Sequence, residues 1–253
     1  MGQYIYLVVS EKVLILQILL LEENMQKIIL FLFLLLFPVG AVQVAESRSS
    51  LTETSDCEKL YEELGLSGRI NFDAFEQAFE GYGEIPGKKR EVLTLIDFSK
   101  PSTAERLYVI DLARRKMLFV SHVSHGRNSG DNYATSFSNR SGSHQSSLGF
   151  YLTENTYIGR NGYSLVLNGL EPGVNDNAKA RAVVMHGAAY ANPSVIAAQG
   201  RLGRSFGCPA LPEALNREVI DAIKGGSVLY IYAGNKEYLA QSTVLSSRGL
   251  VSL

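Results

Sequence analysis

The stretch AVVMHGAAYANPSVIAAQGRLGRSFGCPAL, residues 182–211, carries the most information in this sequence. It opens with four apolar residues, 182–185, which predict a short buried strand that ends at His186 and Gly187. A polar loop punctuated by glycines follows and leads to Cys208. The proline after this cysteine lacks a backbone N–H and disfavours helical geometry in the residue before it, so a tight, non-helical turn is predicted. The pattern therefore predicts a thiol in a turn and an imidazole at the end of a strand.

This pairing of side chains favours nucleophilic chemistry at Cys208. A thiol becomes a good nucleophile only when it is ionised, and a nearby imidazole can accept its proton. The ordinary pKa values, about 8.5 for a thiol and about 6.5 for an imidazole, lie close enough for modest environmental shifts to favour the ion pair. A second interpretation stays open: Cys208 is a buried structural residue, or it forms a disulfide with Cys57, as exported proteins do.

The spacing of these residues resembles the L,D-transpeptidase family. HG at residues 186–187, followed downstream by SFGC at 205–208, is similar to the catalytic motif of that family, an HG pair and then S-x-G-C. In particular it resembles a bacterial branch that reads HGAxY … GRLGRSxGCPAL. The similarity extends upstream through residues 146–151 and 175–178, so that it covers roughly residues 90–240. An isolated HG or GC pair would not indicate this family. The long stretch that ends in GRSFGCPAL is specific enough to do so.

The resemblance implies a role for each residue of the motif. Cys208 is the nucleophile and His186 is the base, with the main-chain carbonyl of Gly187 holding the other imidazole nitrogen. The backbone N–H groups of Gly207 and Cys208 are predicted to form an oxyanion hole, and Ser205 is predicted to shape the turn. Four further residues are candidates for substrate binding, and the two arginines among them suit a substrate carboxylate: Tyr190, Arg201, Arg204 and Phe206.

The reaction that the resemblance implies is acyl transfer on peptidoglycan stem peptides, without a cofactor. The thiolate of Cys208 attacks the carbonyl that joins the L-centre of a meso-diaminopimelate residue to the following D-alanine. One departure bears on activity: Phe206 stands where the widest form of the motif has a second histidine, whose roles are left unfilled. Two alternatives stay open, a catalytically inactive peptidoglycan-binding homologue and an L,D-carboxypeptidase or general cysteine peptidase.

The rest of the chain predicts a mainly β (α+β) fold. Seven short runs with the pattern of strands lie within residues 92–232. They predict an L,D-transpeptidase-type body, a β-sandwich or a barrel-like sheet. One bracing helix is predicted directly after the cysteine, over residues 212–224. Two short helical patterns at 56–64 and 71–79 predict a small N-terminal helical cap, and the turn residues within 81–90 predict a hinge after it.

The N-terminal residues have the pattern of an export signal. A short basic start at Met25 precedes the apolar run 28–37, and the small residues after it predict cleavage after Ala41 or Ala45. The run is shorter than the ~20 residues of a membrane span. Translation is predicted to start at Met25, with a genuine amphipathic or membrane hairpin within residues 1–24 as the alternative. We therefore expect export to the periplasm or cell surface, with membrane association only through an uncleaved N-terminal segment.

Composition and charge bound the remaining possibilities. The 253 residues carry 24 Lys and Arg against 25 Asp and Glu, so no basic face indicates binding to nucleic acid. His122, His125 and His144 are of the type that binds metals, but no pattern of acidic or cysteine residues completes a set, and no metal site is predicted. The chain is divided into an apolar leader, a linker with the helical cap, a catalytic domain and a tail, at residues 1–45, 46–88, 89–240 and 241–253.

Overall fold

The computed structural model describes residues 56–246, and the predictions for residues 1–55 and 247–253 lie outside the described residues. Eight strands form one sheet in the order β3-β2-β1-β8-β4-β5-β6-β7. β1 pairs with β8 and β6 with β7 in parallel, and the other neighbours are antiparallel. The strand bounds are β1 Val92–Asp97, β2 Leu107–Asp111, β3 Lys116–Ser121, β4 Gly149–Gly159, β5 Gly162–Gly169, β6 Val184–Gly187, β7 Ala210–Leu211 and β8 Val228–Tyr232.

The two edges of this sheet meet, which makes the body barrel-like. Beyond β3 the chain reaches Ser124, which forms an antiparallel bridge with Ala210 of β7. The Ser124 N–H donates to the Ala210 carbonyl at 2.8 Å, and the Ala210 N–H donates back at 3.3 Å. Gly126 forms a second bridge, with Ser205. The predicted mainly β, barrel-like body is therefore confirmed, and the residues that close it flank Cys208 on both sides.

Helices cover parts of this sheet. Their bounds are α1 Phe72–Glu84, α2 Ser194–Gln199, α3 Glu213–Ile223, α4 Lys236–Gln241 and α5 Thr243–Ser246; residues 56–63 are also helical, and Ala189–Ala191 form a short 3₁₀ turn. β1, β2 and β8 are buried along their whole length. α1 packs on β1 and β8, and its Phe75 belongs to the same hydrophobic core as the strands. No helix within the described residues is long and apolar enough to cross a membrane.

Helix α1 begins where the sequence predicts but runs further. The side chain of Asn71 caps it by accepting a hydrogen bond from the Asp73 N–H at 2.8 Å, which satisfies a free donor of the first turn. The helix continues through Gly81 to Glu84, so the hinge predicted for residues 81–90 is wrong at its beginning. Gly81 allows close packing instead, because a Cβ atom there would lie 2.0 Å from the ring of Phe150.

The bracing helix predicted after the cysteine is confirmed as α3. Pro212 lies at its N-cap, where the missing N–H costs nothing. Val219, Ile220 and Ile223 are buried on one face, and the helix packs against β6. The short helices α2, α4 and α5 are not predicted from the sequence, because four to six residues are too few for a periodic apolar pattern.

Candidate active site

The thiol and the imidazole lie on neighbouring chain segments at one end of the sheet. β6 and β7 run in parallel with His186 opposite Ala210, so Cys208 lies just before the strand that pairs with the histidine. The Cys208 sulfur accepts a hydrogen bond from the Val184 N–H at 3.4 Å, and its thiol faces the Ala182 carbonyl at 3.7 Å. The sulfur therefore packs against the strand that ends at His186.

His186 is nearly enclosed, with 4 % of its surface exposed. Its Nδ1 lies 3.0 Å from the Gly187 carbonyl, and because a carbonyl only accepts, Nδ1 carries the proton and Nε2 is left as the basic nitrogen. Gly187 in turn lies against Asn216 of α3, where a Cβ atom on the glycine would be 2.9 Å from the Asn216 Cβ. The bracing helix therefore fixes the backbone that holds the imidazole.

The turn that carries the thiol is held by Ser205. Its hydroxyl accepts a hydrogen bond from the Gly207 N–H at 3.0 Å and donates to the Cys208 carbonyl at 2.6 Å. Gly207 has a φ of +124°, and a Cβ atom there would lie 2.8 Å from the Gln145 carbonyl oxygen. Since the Gly207 N–H already donates to Ser205, it would have to leave that bond to take part in an oxyanion hole, and this role stays a prediction. The Cys208 N–H is the donor that remains beside the sulfur.

The electrostatic surroundings of Cys208 work in both directions. The residue as a whole is only partly buried. Its sulfur is packed closely enough that loss of solvation is the largest influence and raises the thiol pKa. The Val184 N–H, the Arg181 guanidinium and the cysteine's own N–H oppose this by stabilising the thiolate. Both Cys208 and Cys57 are free thiols, so the disulfide left open from the sequence does not form.

Arg181 is a site residue that the sequence analysis missed. Its Nη1 donates to the Ser138 carbonyl at 2.8 Å and to the Ser147 hydroxyl, and its Nη2 donates to the Gln145 carbonyl at 2.7 Å. Gln145 is the residue that packs against Gly207. Arg181 therefore ties the polar loop before β4 to the thiol turn. The sequence carries one indication of this role. Arg181 stands directly before the stretch 182–211, and no Asp or Glu lies three or four residues away to pair with it.

The two arginines predicted to bind a substrate carboxylate already share a partner. Arg201 Nε lies 2.7 Å from the Asp131 carboxylate, and Arg204 Nη1 lies 3.3 Å from the same oxygen. Arg204 also donates to the Gly130 carbonyl at 2.9 Å. A substrate carboxylate would have to compete with Asp131, so a role for these arginines in binding stays a prediction.

The two aromatic candidates differ in exposure. Phe206 is 65 % exposed, and its ring lies between His144, at 4.6 Å from centroid to centroid, and the Arg127 guanidinium, at 5.5 Å. Tyr190 is half-buried, and burial, with the nearby Cys208 charge, raises its pKa to about 12. Phe206 therefore exposes most of its ring to solvent, whereas Tyr190 is a neutral phenol near enough to Cys208 to sense its charge.

The three histidines considered as metal ligands lie in separate surroundings. His122 Nε2 contacts the Thr103 carbonyl at 3.1 Å, His125 Nδ1 contacts Arg106 at 2.8 Å, and His144 packs on Phe206. Within residues 56–246, no three His, Cys, Asp or Glu side chains are grouped as metal ligands would be.

Comparison with known proteins gives one family and a set of similar structures. The model of the L,D-transpeptidase catalytic domain matches residues 66–232. Similar solved structures include the L,D-transpeptidase from Mycobacterium smegmatis (15 % identity, 56 % of this chain and 59 % of that chain, TM-score 0.35). L,D-transpeptidase 3 from Mycobacterium tuberculosis is also similar (14 % identity, 56 % and 61 %, TM-score 0.36). A third is the helical cell shape determining protein Pgp2 from Campylobacter jejuni (13 % identity, 59 % and 50 %, TM-score 0.39).

The chain spans less than two thirds of the length of these solved structures. No curated protein matches its sequence significantly.

Proposed function

We propose, since the chain belongs to the L,D-transpeptidase catalytic domain family, that it is a cysteine-dependent acyltransferase acting on peptidoglycan stem peptides. The observation that carries this proposal is the position of the Cys208 sulfur against the strand that ends at His186. Acyl transfer through a cysteine needs a base within reach of the thiol, and it splits one difficult step into two easier ones.

In the first half of the reaction, His186 Nε2 takes the thiol proton and the Cys208 thiolate attacks the stem-peptide carbonyl that precedes D-alanine. The C–N bond breaks, D-alanine leaves with the proton returned by Nε2, and a thioester remains on the sulfur. The Nδ1–H hydrogen bond to the Gly187 carbonyl supports this direction, because it fixes the tautomer that leaves Nε2 basic. The Cys208 N–H is the donor that we assign to the developing oxyanion.

In the second half, an amine of a neighbouring stem gives its proton to His186 and attacks the thioester. An amide forms, the C–S bond breaks, and the thiol is restored, which yields a cross-link. Water in place of the amine yields an L,D-carboxypeptidase. We further propose that the chain acts outside the cytoplasm, in the periplasm or at the cell surface, because the substrate lies there and residues 25–45 have the pattern of an export signal.

One observation favours a catalytically inactive, peptidoglycan-binding homologue as the second candidate. Burial raises the pKa of Cys208, which favours the neutral thiol at neutral pH. An active enzyme requires that the effects which favour the thiolate exceed the effect of burial on the Cys208 pKa. These effects are proton transfer to His186, the Arg181 charge and the Val184 N–H.

The deciding experiment treats isolated disaccharide-tetrapeptides with the purified protein and follows the products by mass spectrometry. Released D-alanine together with a cross-linked dimer supports the transpeptidase, and release without a dimer supports the carboxypeptidase. Cys208→Ala and His186→Gln should abolish both products, whereas Cys57→Ala should keep them. Binding of muropeptides without any product, in a protein whose Cys208 alkylates normally, would favour the inactive homologue.

A further inference from the structure

Arg106, the residue directly before β2, is a fully buried cation whose side-chain hydrogen bonds go to neutral groups. None of its surface is exposed. Its Nε and Nη2 donate to the Val123 carbonyl at 3.0 and 2.8 Å, and its Nη1 donates to the Lys100 carbonyl at 3.0 Å. No carboxylate lies within ion-pair distance of it among residues 56–246. The Asp97 carboxylate favours the charge from beyond ion-pair distance, and the guanidinium carbon lies 4.8 Å from the centre of the Phe98 ring. Because burying a charge is costly unless it is well hydrogen-bonded, the guanidinium is bound to keep these contacts.

The third hydrogen-bond partner of the Arg106 side chain is an imidazole. Its Nη2 lies 2.8 Å from His125 Nδ1, and because a guanidinium only donates, Nδ1 is the acceptor and the ring is neutral. Nε2 then donates toward the Gly130 carbonyl at 3.4 Å. Burial, followed by the charge of Arg106, lowers the pKa of His125 to about 4, and Arg204 acts in the same direction. The contacts that raise it, from the backbone of residues 130–131, do not offset these effects.

The backbone around His125 holds both ends of the thiol turn. The His125 carbonyl accepts the Ser205 N–H at 2.9 Å, and Arg127 N–H donates to the Ser205 carbonyl at 2.8 Å. One residue before His125, Ser124 exchanges two hydrogen bonds with Ala210. The Ser205 hydroxyl in turn accepts the Gly207 N–H and donates to the Cys208 carbonyl, so it holds the backbone on both sides of the Gly207–Cys208 peptide.

We propose that Arg106 and His125 are positioning residues for the Cys208 thiol, joined to it by a hydrogen-bond relay that runs through the His125 carbonyl and Ser205. The guanidinium fixes the carbonyl of Val123 and the ring of His125 together, and so fixes the short segment that closes the barrel against the turn. The proposal rests on the proposed nucleophilic role of Cys208 but not on the identity of the substrate.

The test measures the rate at which iodoacetamide alkylates Cys208 as a function of pH, in a Cys57→Ala background. This rate reports the thiolate fraction, which depends on how the turn holds the sulfur near the Val184 N–H and Arg181, and it needs no substrate. The variants are His125→Ala, His125→Asn, Ser205→Ala and the double variant His125→Ala/Ser205→Ala. Asn places an acceptor where Nδ1 lies and cannot be protonated, so it is the conservative replacement. Circular dichroism and thermal unfolding identify variants that fail to fold.

We expect His125→Ala and Ser205→Ala each to lower the thiolate fraction at pH 7.5 at least threefold. Because both act through one relay, the double variant should lose no more than the larger single loss, while His125→Asn should stay within twofold of the parent. Multiplied losses in the double variant, an unchanged thiolate fraction in folded His125→Ala, or His125→Asn as defective as His125→Ala would overturn the proposal. Since the readout is alkylation, loss of the relay and absence of transpeptidase activity are distinguished.

Discussion

The two cysteines of this chain lie in regions that place charges of opposite sign around the thiol. Cys57 lies within the helical residues 56–63, is 0 % exposed and has a pKa raised to about 12, by burial first and then by Glu76, Glu80 and Glu58. Cys208 is also penalised by burial, but its other neighbours are backbone N–H groups and the Arg181 guanidinium. Burial is therefore the largest influence on both thiols; the neighbouring charges add to its effect at Cys57 and oppose it at Cys208.

The largest expected effect is on alkylation of the two thiols in the native protein. With iodoacetamide at pH 7.5, Cys208 should react at least about a thousandfold faster than Cys57, because the nucleophile is the thiolate and few Cys57 thiols ionise. Peptide mapping by mass spectrometry assigns each adduct. Unfolding in guanidinium should equalise the two rates, which serves as the control. Comparable native rates would mean that the two regions do not differ as described.

Acid should weaken the active-site region specifically, through His125. Its pKa is lowered in the folded protein to about 4, so folding disfavours the proton. The stability it contributes is complete above the unfolded value of about 6.5 and is lost as the pH falls toward 4, by about 3 kcal/mol. Chemical denaturation between pH 7.5 and pH 4 measures this loss, and His125→Asn should remove most of it.

Glu76, beside Cys57, has a pKa that burial raises, so the cap region responds to acid with the opposite sign. If the unsubstituted protein and His125→Asn lost the same stability between pH 7.5 and pH 4, groups other than His125 would cause the acid sensitivity.

A smaller effect is expected from removing the cation beside Cys208. Arg181→Gln should raise the pKa of Cys208 and lower its alkylation rate at pH 7.5 about three- to tenfold, because the charge that favours the thiolate is lost. The pH dependence of the rate measures both quantities. Arg160→Gln, on the exposed turn between β4 and β5, is the matched control and should change neither. A rate unchanged in folded Arg181→Gln would remove the proposed electrostatic distinction between the thiols.

The smallest effect is expected from removing a carboxylate beside Cys57. Glu76→Gln should leave its native alkylation rate within about twofold, because burial outranks the carboxylates among the causes of the raised pKa. The same peptide-mapping assay measures it. If the variant made Cys57 readily alkylated, charge rather than burial would dominate in the cap region, and the comparison with Cys208 would need to be redrawn.

Local patterns predicted much of this fold, and the failures involve contacts between distant residues. Val228–Tyr232 and the helix after Cys208 follow from apolar periodicity, and β7, which begins two residues after Cys208, pairs with the strand that contains His186. The end of α1 did not follow, because Gly81 suits a helix only when the ring of Phe150 lies against it.

The same reason applies within the site. Arg201 and Arg204 looked available for a ligand, since nothing in their own stretch reveals that Asp131 pairs with both. Arg181 was missed because its partners, Ser138 to Ser147, come from a loop without periodicity. A single sequence therefore shows which side chains are chemically reactive. It shows less well which distant side chains pair with them in the fold.

The closure of the sheet at Ser124 and Ala210 has a consequence for the order of folding. This contact joins the segment after β3 to a two-residue strand far along the chain, and a contact of such long sequence separation carries a large cost in loop-closure entropy. The same segment accepts the Ser205 N–H, at the His125 carbonyl, and so contacts the turn that carries Cys208. We therefore expect the Cys208 thiol to acquire the Val184 N–H beside it only as the barrel is completed, so that partly folded molecules carry an ordinary cysteine.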